Sequence, residues 1–165
     1  MKKIFSLTIF LILIISCNNG GSKTVNILGV DCKTIPGLTA VDVHGNFTNK
    51  GFSLEKRLET EVSTWTCKLS NLESEFIVVA TGKDPDNIVN VQGTVLNYSD
   101  KNTSEIAKDF LGFIASLPYE NSQPEVARDW VLNNIEKGGS TSIGNVKFEI
   151  IANGDKNRIL NMDGI

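Results

Sequence analysis

Three cysteines, a single histidine and scattered carboxylates are the residues of this 165-residue chain whose types allow covalent, acid–base or metal chemistry. Zinc normally takes four nitrogen or sulfur ligands, and one His with widely spaced Cys residues does not supply them. No Cys-x-x-Cys pair is present, so there is no dithiol redox motif. A cysteine nucleophile would need Cys32 or Cys67 to be free and beside His44. No serine sits in a Gly-x-Ser-x-Gly elbow. His44 has the residue type of a general base, but it falls beside the apolar face of an expected helix. The better reading is a partly buried helix residue hydrogen-bonded to backbone. Asp84 and Asp86 flank Pro85, and Asp155 precedes Asn157. Calcium can use such oxygens, yet the Gly and distant Glu of an EF-hand loop are missing, and solvated turns account for both clusters. Trp65 and Trp130 have the chemistry to stack on sugars, but each lies on the apolar side of its expected element and reads as core. Neither a metal nor a cofactor is expected.

Cys17 belongs to a different context. Lys2 and Lys3 precede an apolar run over residues 4–15. That run has the length of a signal-peptide core and falls well short of the roughly 20 residues a membrane-spanning helix needs. It ends in Ile14-Ile15-Ser16-Cys17. This segment resembles the lipobox of bacterial lipoproteins, with a bulky aliphatic residue at −3, a small residue at −1 and cysteine at +1. The resemblance implies cleavage between Ser16 and Cys17, a thioether diacylglycerol on the Cys17 sulfur and a palmitate or similar acyl chain on the new amino group. Several acyl chains anchor stably where one would be marginal. The expected organisation is a signal peptide over residues 1–16, a lipid anchor and flexible tether over 17–24, and one domain over 25–165. The tether Asn18-Asn19-Gly20-Gly21-Ser22-Lys23 is polar and glycine-rich. The implied location is the cell envelope: the outer membrane where there are two membranes, the outer face of the cytoplasmic membrane where there is one.

With Cys17 assigned to lipid, Cys32 and Cys67 remain as a pair. Export places them in an oxidising compartment, where a disulfide is the default expectation. The bridge would close a loop of about 36 residues, worth roughly 4 kcal/mol in the chain-entropy account.

Composition supports a folded domain: 41% of residues are hydrophobic and 21% charged. The formal net charge is −3, and losing Lys2 and Lys3 takes the sixteen basic residues to fourteen against nineteen acidic ones. An acidic domain gains nothing from phosphate backbones, so nucleic acid is not an expected partner.

The elements that would position these residues follow from periodicity and turn chemistry. Residues 25–30 read as a strand. Thr39, with Asp42 three residues on, reads as a variant capping box opening a helix with Ala40, Val43 and Phe47 on one face and Gly51 at its end. Alternation at Phe52-Leu54 and Trp65-Cys67-Leu69, the apolar run 76–80, and Val89-Val91-Val95 mark four strands separated by turns. Asn102 caps a second helix. Its stripe Ile106, Phe110, Phe113 and Leu117, widened by Ala107, Leu111 and Ile114, predicts that it is mostly buried. Ser122 is the expected cap of a third helix, with Pro124 in its first turn and Val126, Ala127, Trp130 and Val131 as its apolar face. A closing hairpin runs through Val146-Phe148-Ile150, turns at Asn153-Gly154 and returns over 158–162. The resulting order, β-α-β-β-β-β-α-α-β-β, implies an α+β fold: a mostly antiparallel sheet of about six to seven strands with about three helices on one face.

Residues 35–52, from Ile35-Pro36-Gly37-Leu38 through Phe47 to Gly51-Phe52, also resemble the opening of a PASTA domain. Only that strand–helix–strand turn is shared, and no function or residue is carried over from it.

The functional expectation is a lipid-anchored envelope protein, a non-catalytic binding or accessory module for a partner protein or envelope ligand. Two alternatives from other classes are an envelope hydrolase using carboxylate chemistry and a phage-exclusion or toxin-immunity lipoprotein. Because the apolar faces of the helices are expected to be taken up by the core, the partner surface is expected on loops or on an uncovered sheet face, with Tyr98, Tyr119 and the turn 84–87 as edge contributors.

Overall fold

The structure is a computed structural model that describes residues 21–165. The leader and Cys17 lie outside the described residues. Twelve elements follow one another: β1 (Thr24–Ile27), β2 (Val30–Lys33), α1 (Ala40–Thr48), β3 (Ser53–Leu58), β4 (Ser63–Ser70), β5 (Ser74–Gly82), β6 (Ile88–Asn97), α2 (Thr103–Ala115), α3 (Pro124–Asn134), β7 (Gly139–Ile143), β8 (Val146–Ile151) and β9 (Asn157–Gly164). The fold is α+β, an antiparallel sheet with its helices on one face.

β3 to β6 form a meander in which each strand pairs with the next. β9, the last of the described strands, is inserted at the centre. It pairs with β6 over Asn90↔Asp163 to Leu96↔Asn157 and, along its other edge, with β8 over Val146↔Gly164 to Ile151↔Ile159. β7 completes the row beyond β8. The β1–β2 hairpin joins through a single pair, Lys33↔Gly164.

Side-chain alternation sorts this sheet into two faces. The buried face carries Trp65, Cys67, Val78, Ala80, Val91, Val95, Leu160, Met162, Phe148 and Ile150, in register across the strands. α2 lies over β6 and β9, and Gly93 makes room for it, because a Cβ there would collide with the Ile114 and Leu111 side chains. α1 packs on β3 to β5. The other face carries Thr66, Val79, Gln92, Asn161 and Glu149 in one cross-strand row and stays half-exposed.

Local chemistry explains the helix ends. The Thr39–Asp42 capping box is formed, and the Asn102 side chain accepts from the Ser104 and Glu105 amides at 2.8 and 3.3 Å. α3 differs from expectation: Gln123, not Ser122, is its N-cap and makes no side-chain cap bond. Pro124 alone pre-sets that first turn.

Among the described residues the sheet has nine strands, two more than the seven in the expected order. Residues 25–30, expected as one strand, are a hairpin. Leu28 (φ 50°) and Gly29 (φ 82°) both adopt left-handed conformations, as the centre of a tight primed turn requires. A leucine in that position gives no turn signal in the sequence. β7 is a further addition, because its Gly-Ser-Thr-Ser-Ile run has almost no apolar alternation and owes its strand geometry to β8.

The expected Cys32–Cys67 bridge is not formed in the structure. Both thiols are free. Cys32 is on β2, which meets the rest of the sheet through the single pair Lys33↔Gly164, and Cys67 is on the buried face of β4. Counting cysteines identifies an even pair but carries no information on where their strands fall in the sheet.

Candidate functional site

Five of the six phenylalanines among the described residues converge at one place on the helical side. Phe47 ends the apolar face of α1. Gly51 (φ 87°) then reverses the chain, and the Phe52 amide donates back to the Phe47 carbonyl at 3.2 Å. This turn sets the two rings edge to face at 5.2 Å. Phe110 and Phe113, three apart on α2, share a helix face and reach across to α1. Phe47 meets them edge-on at 5.8 and 5.4 Å. Phe52 stacks on Phe110 within 5° of parallel at 5.9 Å, and Phe76 of β5 meets Phe110 edge-on at 5.3 Å.

The cluster is not sealed. Phe47 is buried, whereas Phe52, Phe76, Phe110 and Phe113 remain half-exposed. α2 is mostly buried, as expected, but its phenylalanines are only half covered. Ala107, Leu111 and Ile114 take the sheet-facing positions, and the stripe Ile106-Phe110-Phe113 is left at the margin between α1 and α2. The apolar arc of α2 is wider than the surface available to cover it. The result is a cleft of about 390 Å³ walled by Phe47, Phe52, Phe110 and Phe113.

The polar groups around this cleft are few. Lys50, Asp109, Ser116 and Arg128 complete its lining. The Lys50 ammonium sits 4.8 Å from the centre of the Phe113 ring, a cation–π contact. Arg128 reaches the cleft from α3, its stem passing over Gly112, where a Cβ would be 3.4 Å from Arg128 Cγ. Neither cation takes part in an ion pair among the described residues.

A second recess, about 330 Å³ and polar, lies at the N-terminus of α2 between Asn102, Thr103 and Arg158. Its guanidinium is engaged by protein oxygens. Nε donates to Ser104 Oγ at 3.1 Å, and Nη1 to the Gly154 and Asn157 carbonyls at 2.7 and 2.6 Å. Arg158 thereby clamps the β8–β9 turn onto α2.

The residues singled out by type are dispersed. His44 is half-buried on α1 and does not line the phenylalanine cleft. Burial first, then the nearby Lys56 ammonium, hold its pKa below the usual imidazole value. Its ring makes no hydrogen bond among the described residues, so the backbone partner expected for it is not formed. Cys67 is buried, and burial pushes its thiol up. Trp65 is in the core, and Trp130 packs at a tilt against Phe148 at 6.4 Å. Val126 points outward, away from the apolar face it was expected to join. Tyr119 is a core residue whose hydroxyl donates to the Ile143 carbonyl at 3.1 Å, not an edge contributor.

Tyr98 is exposed and donates to Glu75, which also pairs with Lys68 at 2.5 Å. The Lys68 ammonium lowers the Glu75 pKa, and Glu75 in turn raises that of Lys68. The turn 84–87 is locked internally: Asp84 accepts from the Asp86 amide at 3.0 Å and from the Asn87 side chain at 2.7 and 2.8 Å. Among the described residues no group of three or more His, Cys, Asp or Glu could hold a metal ion. No described helix is long and apolar enough to cross a membrane.

Residue types draw attention to His, Cys and Trp. The cleft is made of phenylalanines that each read as core when taken singly. A usable signal is present in α2, whose apolar residues cover more of its circumference than one sheet contact can bury. No protein-family model matches the chain, and no curated protein or solved structure matches it.

Proposed function

We propose that this chain is a lipid-anchored binding module of the cell envelope whose ligand site is the phenylalanine cleft between α1 and α2. The observation that carries the reading is the open aromatic cluster itself. Fully burying a phenylalanine is worth about 1.5–3 kcal/mol, so four half-exposed rings in contact forgo a sizeable part of that stabilisation in the free protein. An apolar ligand that displaces water from the cleft recovers it. Clefts of this size and apolar character are the ordinary form of small-ligand sites, and a contiguous exposed aromatic surface is uncommon without a partner. His44, Cys32 and Cys67 all stand away from the cleft, which favours binding over nucleophilic chemistry at this place.

The anchor half of the reading rests on Ile14-Ile15-Ser16-Cys17 and the polar tether that follows. Cys17→Ala should move the protein from the membrane to the soluble fraction or stall its processing. An intact mass with an unmodified mature N-terminus would remove the anchor from the reading.

The binding half is tested by proton–nitrogen NMR of the chain from residue 17 onward, screened against small aromatic and alkyl fragments. Fragments that bind should shift the amides of Lys50, Phe52, Phe110 and Phe113 together. Binding confined to the open sheet face would place the ligand site elsewhere, on the surface the sequence pointed to.

A further inference from the structure

The cleft has a chemical bias beyond its apolar walls. Lys50 and Arg128 are its two cations, and neither is neutralised by an ion pair among the described residues. Asp109 is the single carboxylate in the lining, so the cleft carries one net positive charge on a chain whose formal net charge is −3. Each of the five ion pairs among the described residues involves other cations.

Resting on the reading that this cleft is a ligand site, we infer that its ligand is an amphiphilic anion. The apolar body sits among Phe52, Phe110 and Phe113, and the anionic head lies within reach of Lys50 and Arg128. Three physical arguments select this class. An aromatic cleft by itself also attracts organic cations, but the Lys50 ammonium already occupies the Phe113 face and repels a second one. A wholly neutral apolar ligand would make no use of either cation, whereas an anion gains two charge-assisted contacts there. A volume of about 390 Å³ is at the small-molecule end of binding sites and does not accommodate an amphipathic helix laid in a groove. The Lys50 stem is flexible enough for the ammonium to leave the ring and meet the head group as the body takes its place.

The test uses two fluorescent probes of nearly the same shape: 1-anilinonaphthalene-8-sulfonate, an anion, and N-phenyl-1-naphthylamine, its neutral counterpart. The protein is the chain from residue 17 with Cys17→Ser, which keeps every element of the described fold and removes lipid that would compete for the probes. The anionic probe should bind one site more tightly than the neutral one. Lys50→Glu with Arg128→Glu should weaken the anionic probe about tenfold more than the neutral one, the combined effect of two partly exposed charge contacts. Raising salt should act in the same direction.

Ser116→Trp, which fills the cleft from its half-exposed edge without altering a phenylalanine, should exclude both probes while circular dichroism and the melting temperature stay those of the parent. Equal affinity for the two probes, unmoved by the charge reversals but lost in Ser116→Trp, would overturn the anion class and leave the cleft a ligand site. Binding that persists in Ser116→Trp would overturn the inference and the site together. Loss of probe sites in step with dimer formation in sedimentation would mean that a second copy covers the cleft, and would also overturn the inference.

Discussion

Cys32 and Cys67 carry the same thiol in different surroundings. Cys32 is half-buried on the hairpin strand β2, and Cys67 is fully enclosed beneath the helices, where burial raises its pKa and lowers its thiolate fraction. In the Cys17→Ala chain a thiol reagent should therefore label Cys32 under native conditions and Cys67 only after unfolding. Recovery of a linked Cys32–Cys67 peptide from non-reduced protein would contradict the free state of both thiols. His44 makes a second prediction at this scale. Its folded-state pKa is held below the ordinary 6.5, first by burial and then by Lys56. The unfolded chain therefore binds the proton more readily, and stability is lost as pH falls from 6.5 toward the lower folded value. His44→Gln should flatten that part of the stability–pH curve in denaturant titrations; an unchanged slope would assign it to the carboxylates instead.

α2 is held to the sheet by a fit that one missing side chain creates. Gly93 sits at the centre of β6, in register with Val78 and Leu160, directly under Ile114 and Leu111. A Cβ there would lie 3.0 Å from Leu111 Cδ2 and nearer still to Ile114 Cδ1. Both atoms are the ends of side chains that can turn aside, so Gly93→Ala should cost about 1–3 kcal/mol rather than abolish the fold. Because the same helix carries Phe110 and Phe113 on its flank, lifting it should also loosen the aromatic cluster. Equilibrium unfolding measures the first effect and near-ultraviolet circular dichroism the second. A fully native near-ultraviolet spectrum at reduced stability would show that the cleft does not depend on how closely α2 approaches β6.

At the scale of the molecule, the sheet is built around β9, the last of the described strands. β9 joins the β3–β6 meander to the β7–β8 hairpin along its two edges and receives β2 at its end. Its side chains Leu160 and Met162 are fully buried. Deleting residues 157–165 should therefore remove cooperative unfolding altogether, instead of trimming a frayed terminus. A truncated chain that still melts in one sharp transition would mean that the meander and helices form a stable unit without β9. Non-local pairing of this kind also predicts folding slower than that of a helical domain of equal length, because loop closure must precede the stabilising contacts.

The sequence alone determined the features that depend on neighbours in the chain. The capping residues Thr39 and Asn102, the strand–turn pattern of β3 to β6, the helical periods and the α+β class were all legible, because capping, turns and burial period act over a few residues. Tertiary structure decided the rest. The β1–β2 turn needs a leucine at φ 50°, which no local preference selects, and β7 is a strand because β8 lies beside it. Whether Cys32 meets Cys67 depends on where β2 and β4 fall in the sheet, which cysteine spacing does not encode. The cleft belongs to the same class. Phe47, Phe52, Phe76, Phe110 and Phe113 come from four different stretches of chain. Apolar character marked each for burial, but how much of each ring is covered depends on how α1 and α2 divide one sheet face between them. That division is a matter of area and shape in three dimensions, and it leaves the rings open beside Lys50 and Arg128.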